Sequence, residues 1–148
     1  MIELNLPHYP FKIKTVGQSK QIFDELRRKY VALTPEEWVR QHFIKYLTLV
    51  KGYPSGFFSV EREHNYNDLN KRTDLIIYSR NLKPWMICEF KAADVAVSQE
   101  VFYQIARYNL SFDVPYLVVS NGLEHYCCQK VNDQFHFLDD VPEFENVS

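Results

Sequence analysis

The stretch Asp74-Leu75-Ile76-Ile77-Tyr78, followed after a short connection by Trp85-Met86-Ile87-Cys88-Glu89-Phe90-Lys91, decides how this chain is read. Two apolar runs flank Asn81-Leu82, and the pattern predicts a β-hairpin with that pair at its tip. Tyr78 then faces Trp85, and Asp74 lies opposite Glu89. Opposed residues on one face have Cβ atoms roughly 4.5–5.5 Å apart. Side chains alternate along a strand, so Lys91 shares the face of Glu89 while Cys88 and Phe90 turn toward a core.

Two carboxylates so placed repel each other, and a raised pKa on one acid or a bound cation offsets the repulsion. Mg²⁺ takes one or two carboxylates together with waters and phosphate oxygens, which suits this layout. A lysine beside the pair would polarise an attacking water and stabilise charge on a phosphate. The competing reading is a salt bridge on an exposed sheet face, with Lys91 satisfying Glu89, and the spacing alone leaves both open.

Working outward, Thr34-Pro35-Glu36-Glu37 signals a helix start, with Thr34 as N-cap, Pro35 at the first position and Glu37 completing a capping box. Trp38, Val39, Phe43, Tyr46, Leu47 and Val50 then fall on one helical face, and Gly52 closes the helix with Pro54 beyond. Upstream, Phe11 to Lys14 and Gln21 to Phe23 predict a hairpin. Downstream, 57–61, 73–78, 85–90, 114–120, 126–131 and 135–138 read as strands. Residues 98–109 read as a second helix with Val101, Ile105 and Tyr108 on one face. The expected fold is α/β: a mixed central sheet flanked by helices. One domain over 1–148 is expected, with an N-terminal hairpin extension in 1–30 and a frayed acidic tail in 139–148.

The 148 residues are 46% hydrophobic and 24% charged, which excludes a disordered or fibrous chain. No apolar run approaches a membrane span and no signal peptide is visible. Three cysteines without a C-x-x-C pair make structural zinc and a disulfide framework poor readings, and a reducing cytoplasm is expected. The five histidines show no metal-ligand spacing. The net charge of −2 hides an asymmetry: residues 1–91 hold 15 Lys and Arg against 10 Asp and Glu, and residues 92–148 hold 2 against 9. A one-sided basic field steers polyanions, and Arg27, Arg28, Lys71 and Arg72 are the candidate DNA phosphate contacts. The plainer alternative is a solvated surface with an acidic tail.

Thr73-Asp74 followed by Glu89-Phe90-Lys91 resembles the D-x(n)-E-x-K core of the PD-(D/E)xK nuclease superfamily. Gln104-Ile105-Ala106-Arg107-Tyr108 resembles the Q-x-x-x-Y motif of its exonuclease-like branch. The segments 33–41 and 115–122 resemble domains related to the N-terminal nuclease region of type I restriction enzyme R subunits. The resemblance implies a restriction-endonuclease-like core and metal-dependent (Mg²⁺, with Mn²⁺ as substitute) hydrolysis of DNA. Asp74, Glu89 and the Phe90 backbone carbonyl would hold the metal, and Lys91 would act on the attacking water. Glu37, or its neighbour Glu36, would be the helix acid, and Gln104 and Tyr108 would reach the site together. Thr73 stands where the family name has Pro. The chain has no G-x-x-x-x-G-K-[ST] loop and so no ATP site, and is expected to act alone or with other subunits of a restriction or repair system. The rival function is a catalytically silent DNA-binding or protein-interaction module.

Overall fold

A computed structural model describes residues 1–66, 69–109 and 113–144, with the backbone alone for 61–66, 69–73 and 108–109. The chain opens with an antiparallel meander of β1 (Ile13–Val16), β2 (Ser19–Asp24) and β3 (Lys29–Ala32). Gly17 turns β1 into β2 at φ +63°, a conformation glycine adopts without a Cβ clash. The sequence predicts only two strands here. Lys29–Ala32 is too short to show a period of two, and it is a strand because β2 pairs with it from Gln21↔Ala32 to Asp24↔Lys29.

The helix α1 (Pro35–Lys45) begins as expected: the Glu37 N–H donates to Thr34 Oγ1 at 3.0 Å, and Pro35 stands in the first turn. The reciprocal half of the capping box does not form. The Thr34 N–H donates to the Ala32 carbonyl, and the Glu37 carboxylate turns to cations instead. After Lys45 the helix widens into a π-helical turn, Tyr46–Val50, closed by the Lys51 N–H on the Tyr46 carbonyl. The wider turn shifts the apolar face, so Val39, Phe43 and Leu47 are fully buried while Val50 is exposed, against expectation. Gly52 then turns the chain at φ +79°.

The main sheet has six strands in the order β4 (Phe58–Tyr66), β5 (Leu69–Tyr78), β6 (Pro84–Phe90), β7 (Tyr116–Ser120), β8 (His125–Val131) and β9 (Gln134–Leu138). All neighbours are antiparallel except β6 and β7, which run parallel. A parallel pair needs a crossover, and α2 (Gln99–Asn109) lies within it. Asn132 and Asp133, both at positive φ, make the tight β8–β9 turn. Leu75, Ile77, Met86, Cys88 and Phe90 join α1 in one core, whereas Ile76, Ile87, Leu117 and Val119 join α2 in the other. The sheet is therefore covered on both faces, and the chain has a mixed α/β architecture. Each fully buried Leu, Ile or Phe contributes about 1.5–3 kcal/mol.

Two further expectations are corrected. The buried face of α2 centres on Phe102 and Ala106, with Val101 and Ile105 only half-buried at its flanks. The C-terminal segment is docked through residue 144: Asp140 accepts from Lys51 Nζ at 2.8 Å, the Tyr53 hydroxyl donates to the Pro142 carbonyl at 2.6 Å, and Val141 is buried. Alternation of acidic with apolar residues conceals that docking in the sequence. Residues 145–148 of the expected tail lie outside the described residues.

Candidate functional site

The β5–β6 hairpin sets the site. Its ladder runs Leu75↔Cys88, Ile76↔Ile87 and Ile77↔Met86, and extending it by one residue places Asp74 opposite Glu89, as the sequence predicts. At the tip, Tyr78 pairs with Pro84 rather than Trp85, because the ladder shifts between Ile77 and Tyr78. The Ser79 N–H donates to the Lys83 carbonyl at 2.8 Å, and Leu82 takes φ +61°, closing the longer connection before Pro84, which has no N–H to pair.

Asp74 is held from two sides. The Phe90 N–H donates to its Oδ2 at 2.7 Å, and Arg40 Nη2 lies 3.4 Å from its Oδ1. Glu89 sits beside it, half-buried. Burial first, then the charge of Asp74 and a hydrogen bond between the two carboxyls, raise the Glu89 carboxyl to about 9 against the partial pull of Lys91 and Arg40. The direction favours one proton on the Asp74–Glu89 pair at neutral pH, because burial and the neighbouring acid outweigh Lys91 and Arg40.

Glu37 does not face the pair directly. Its Oε1 accepts from Arg40 Nη1 at 2.7 Å and from Arg27 Nη2 at 3.0 Å, and its Oε2 accepts from Gln41 Nε2 at 2.9 Å. Arg27 also pairs with Asp24, which is fully buried in β2. Alternating charges thus run Asp24, Arg27, Glu37, Arg40, Asp74, from the N-terminal meander through α1 to the carboxyl pair. The Phe43 and Phe90 rings, 5.5 Å apart, pack α1 against the strand bearing Glu89. Sequence reasoning missed Arg40 and Asp24. Arg40 stands three residues after Glu37, the spacing at which helical side chains meet, and that signal was available.

Residues 35–142 match the family described as Type I restriction enzyme R protein N terminus (HSDR_N). The chain belongs to that family. A solved structure with a similar fold is the fragment of a putative HsdR subunit of a type I restriction enzyme from Vibrio vulnificus YJ016: 16% identity, TM-score 0.57, covering 78% of this chain and 24% of that one. This chain thus spans about a quarter of that chain's length. No curated protein matches.

The HSDR_N match takes in Glu37, Arg40, Asp74, Glu89, Lys91 and Gln104, and begins after the meander. Lys91 is half-buried and its N–H donates to the Ser120 carbonyl at 2.9 Å, tying β6 to β7 just past Glu89. Its ammonium acts on the Glu89 charge without forming an ion pair among the described residues. Gln104 is exposed on α2, and no described hydrogen bond connects it to the carboxyl pair. The Tyr108 side chain lies outside the described residues, as do those of Lys71 and Arg72, whose backbone forms the part of β5 leading into Asp74. Arg28 is exposed at the β2–β3 turn, whereas Arg27 is committed to its two acids.

No group of three or more His, Cys, Asp and Glu gathers among the described residues. Two carboxyls and a backbone are what the site offers, and these hard oxygen donors suit Mg²⁺ or Mn²⁺, which complete their shells with water and phosphate. Burial raises the thiols Cys127 and Cys128 to about 12, so neither is a nucleophile at neutral pH. No helix among the described residues is long and apolar enough to cross a membrane.

Proposed function

We propose that this domain hydrolyses phosphodiester bonds of DNA in a divalent-metal-dependent reaction, on a PD-(D/E)xK core, as the nuclease part of a restriction system whose other subunits are its partners. The observation that carries the reading is the facing Asp74–Glu89 pair with Lys91 one pleat away. Asp74, Glu89 and the Phe90 carbonyl would hold Mg²⁺ or Mn²⁺, which supplies Lewis-acid stabilisation of charge on the phosphate. Glu89 would have to be unprotonated to hold the metal. Arg40 and the Phe90 N–H keep Asp74 aimed while Lys91 orients the attacking water toward phosphorus, a positioning task as much as an electrostatic one. Gln104 and Tyr108, four residues apart on α2, are proposed to steady the substrate, and Arg28, Lys71 and Arg72 to meet flanking phosphates, which fix register and not base sequence.

The alternative, a catalytically silent DNA-binding or interaction module, is favoured by one observation: Glu37 is already satisfied by Arg27, Arg40 and Gln41. Calorimetric titration of Mg²⁺ and Mn²⁺ separates the two. Wild type should bind metal and Asp74→Ala and Glu89→Ala should not. Equal heats in all three would leave the module.

A further inference from the structure

The N-terminal meander lies before the HSDR_N match and has a surface of its own chemistry. Ile22 and Asp24 are fully buried, so these positions of β2 point inward and Phe23 between them points out. Opposite Phe23 stand Tyr30 on β3 and, on the other side, Lys12, whose carbonyl accepts the Phe23 N–H at 2.9 Å. The two rings meet edge to face with centroids 5.2 Å apart. Lys14 Nζ lies 4.1 Å from the Tyr30 centroid and Lys12 Nζ 5.6 Å from that of Phe23. Both lysines are exposed, every residue of β1 is exposed, and neither ring belongs to the two cores.

Cation–π pairs of this kind hold a small sheet together, and that would suffice as an account but for where Tyr30 stands. Tyr30 and Lys29 also line a cleft of about 570 Å³ whose other wall carries Glu37, Arg40 and Asp74. Tyr30, at the edge of the aromatic face, and Asp74 thus lie on one continuous depression. Phe23 and Tyr30 are half-buried, and rings that keep part of a face open beside amines are what an unpaired nucleic-acid strand uses: bases stack on the rings and phosphates meet the ammonium groups. A duplex keeps its base faces stacked inside and cannot use the rings.

We infer that the outer face of the meander, through Phe23, Tyr30, Lys12 and Lys14, binds single-stranded DNA and leads it along the cleft to Asp74. The inference rests on reading the domain as one that acts on DNA. It adds that the strand entering the site is locally unpaired.

Binding is measured without cleavage, in EDTA, by anisotropy of a labelled oligothymidine and of a duplex of equal length. Wild type should favour the single strand. Phe23→Ala/Tyr30→Ala should lose roughly ten- to a hundredfold in single-strand affinity, and Tyr30→Phe should lose little, since stacking needs the ring and not the hydroxyl. Lys12→Gln/Lys14→Gln should flatten the salt dependence of binding by about one to two counterions. Should the double alanine variant fail to melt like wild type, Tyr30→Trp gives a second readout: its emission should be quenched by oligothymidine and not by duplex. Unchanged affinity in the folded alanine variant, tighter duplex than single-strand binding, or an unquenched Trp overturns the platform. Asp74→Ala should bind the oligonucleotide at least as well as wild type while losing metal-dependent cleavage. Retained cleavage in that variant counts against the nuclease reading alone, and loss of stacking in the other set counts against the platform alone.

Discussion

Arg40→Met removes the guanidinium between two acids and keeps the length of the side chain. In the structure that guanidinium donates to Glu37 at 2.7 Å and reaches Asp74 at 3.4 Å, with the Arg40 and Glu37 side chains only 7% and 6% exposed. Removing one partner of a buried ion pair costs about 3–5 kcal/mol, because the other charge stays behind unpaired. Glu37 retains Arg27 at 3.0 Å and Gln41 at 2.9 Å, and Asp74 retains the Phe90 N–H at 2.7 Å. The loss therefore falls at the low end, about 3 kcal/mol. In a chain of this length a Tm shift of about 6–12 °C follows. Urea and thermal unfolding followed by circular dichroism at pH 7, in EDTA, measure both. Adding Glu37→Gln removes the stranded charge and should recover part of the loss, a coupling that a double-mutant cycle reads directly. A loss under about 1 kcal/mol for Arg40→Met, the scale of an exposed pair, would refute the claim that the Arg40–Glu37 pair is buried and stabilising.

The raised Glu89 carboxyl gives a pH signature. A carboxyl whose folded pKa exceeds its unfolded value contributes stability that is whole below the ordinary 4.5 and is lost as pH rises through about 9. Metal-free wild type should therefore lose stability steadily across that window, and Glu89→Gln should remove most of the slope; a parallel slope in both proteins would count against it. With Glu89 as the proposed metal ligand, metal affinity should climb with pH over the same range and metal uptake should release a proton in calorimetry. Gly122→Ala should destabilise by about 1–3 kcal/mol, since Gly122 has φ +86° and an added Cβ would lie 2.7 Å from Leu4 Cδ2; a shift in urea midpoint at constant m-value reports it.

The site-forming hairpin was legible because two apolar runs, a turn pair between them and two acids agree on one register. The helix start at Thr34 was legible for a similar reason: cap, proline and apolar face coincide. What failed to show was tertiary in origin. Lys29–Ala32 is a strand only because β2 lies beside it, and Val50 leaves the core only because the helix widens at Tyr46. The 139–144 segment looks like an acidic tail until Lys51, Tyr53 and Phe57 receive it. Among site residues, Glu37 reads from the sequence as a capping residue and, by resemblance, as the helix acid near the site, whereas the structure engages its carboxylate with Arg27, Arg40 and Gln41. The spacing of Arg40 from Glu37 shows in the sequence, but its reach to Asp74 depends on how α1 crosses the sheet.

The central claim is that Asp74, Glu89 and Lys91 form a metal-dependent hydrolytic site, and the most direct measurement is single-turnover cleavage of labelled linear, plasmid and single-stranded DNA in Mg²⁺, Mn²⁺ or EDTA. Wild type should cleave in either metal and not in EDTA, Asp74→Ala should be inactive, and Lys91→Ala should bind metal normally yet cleave about 10²-fold more slowly. Cleavage that survives EDTA or the loss of Asp74, or no cleavage of any substrate by a wild-type protein that binds DNA, would contradict the account.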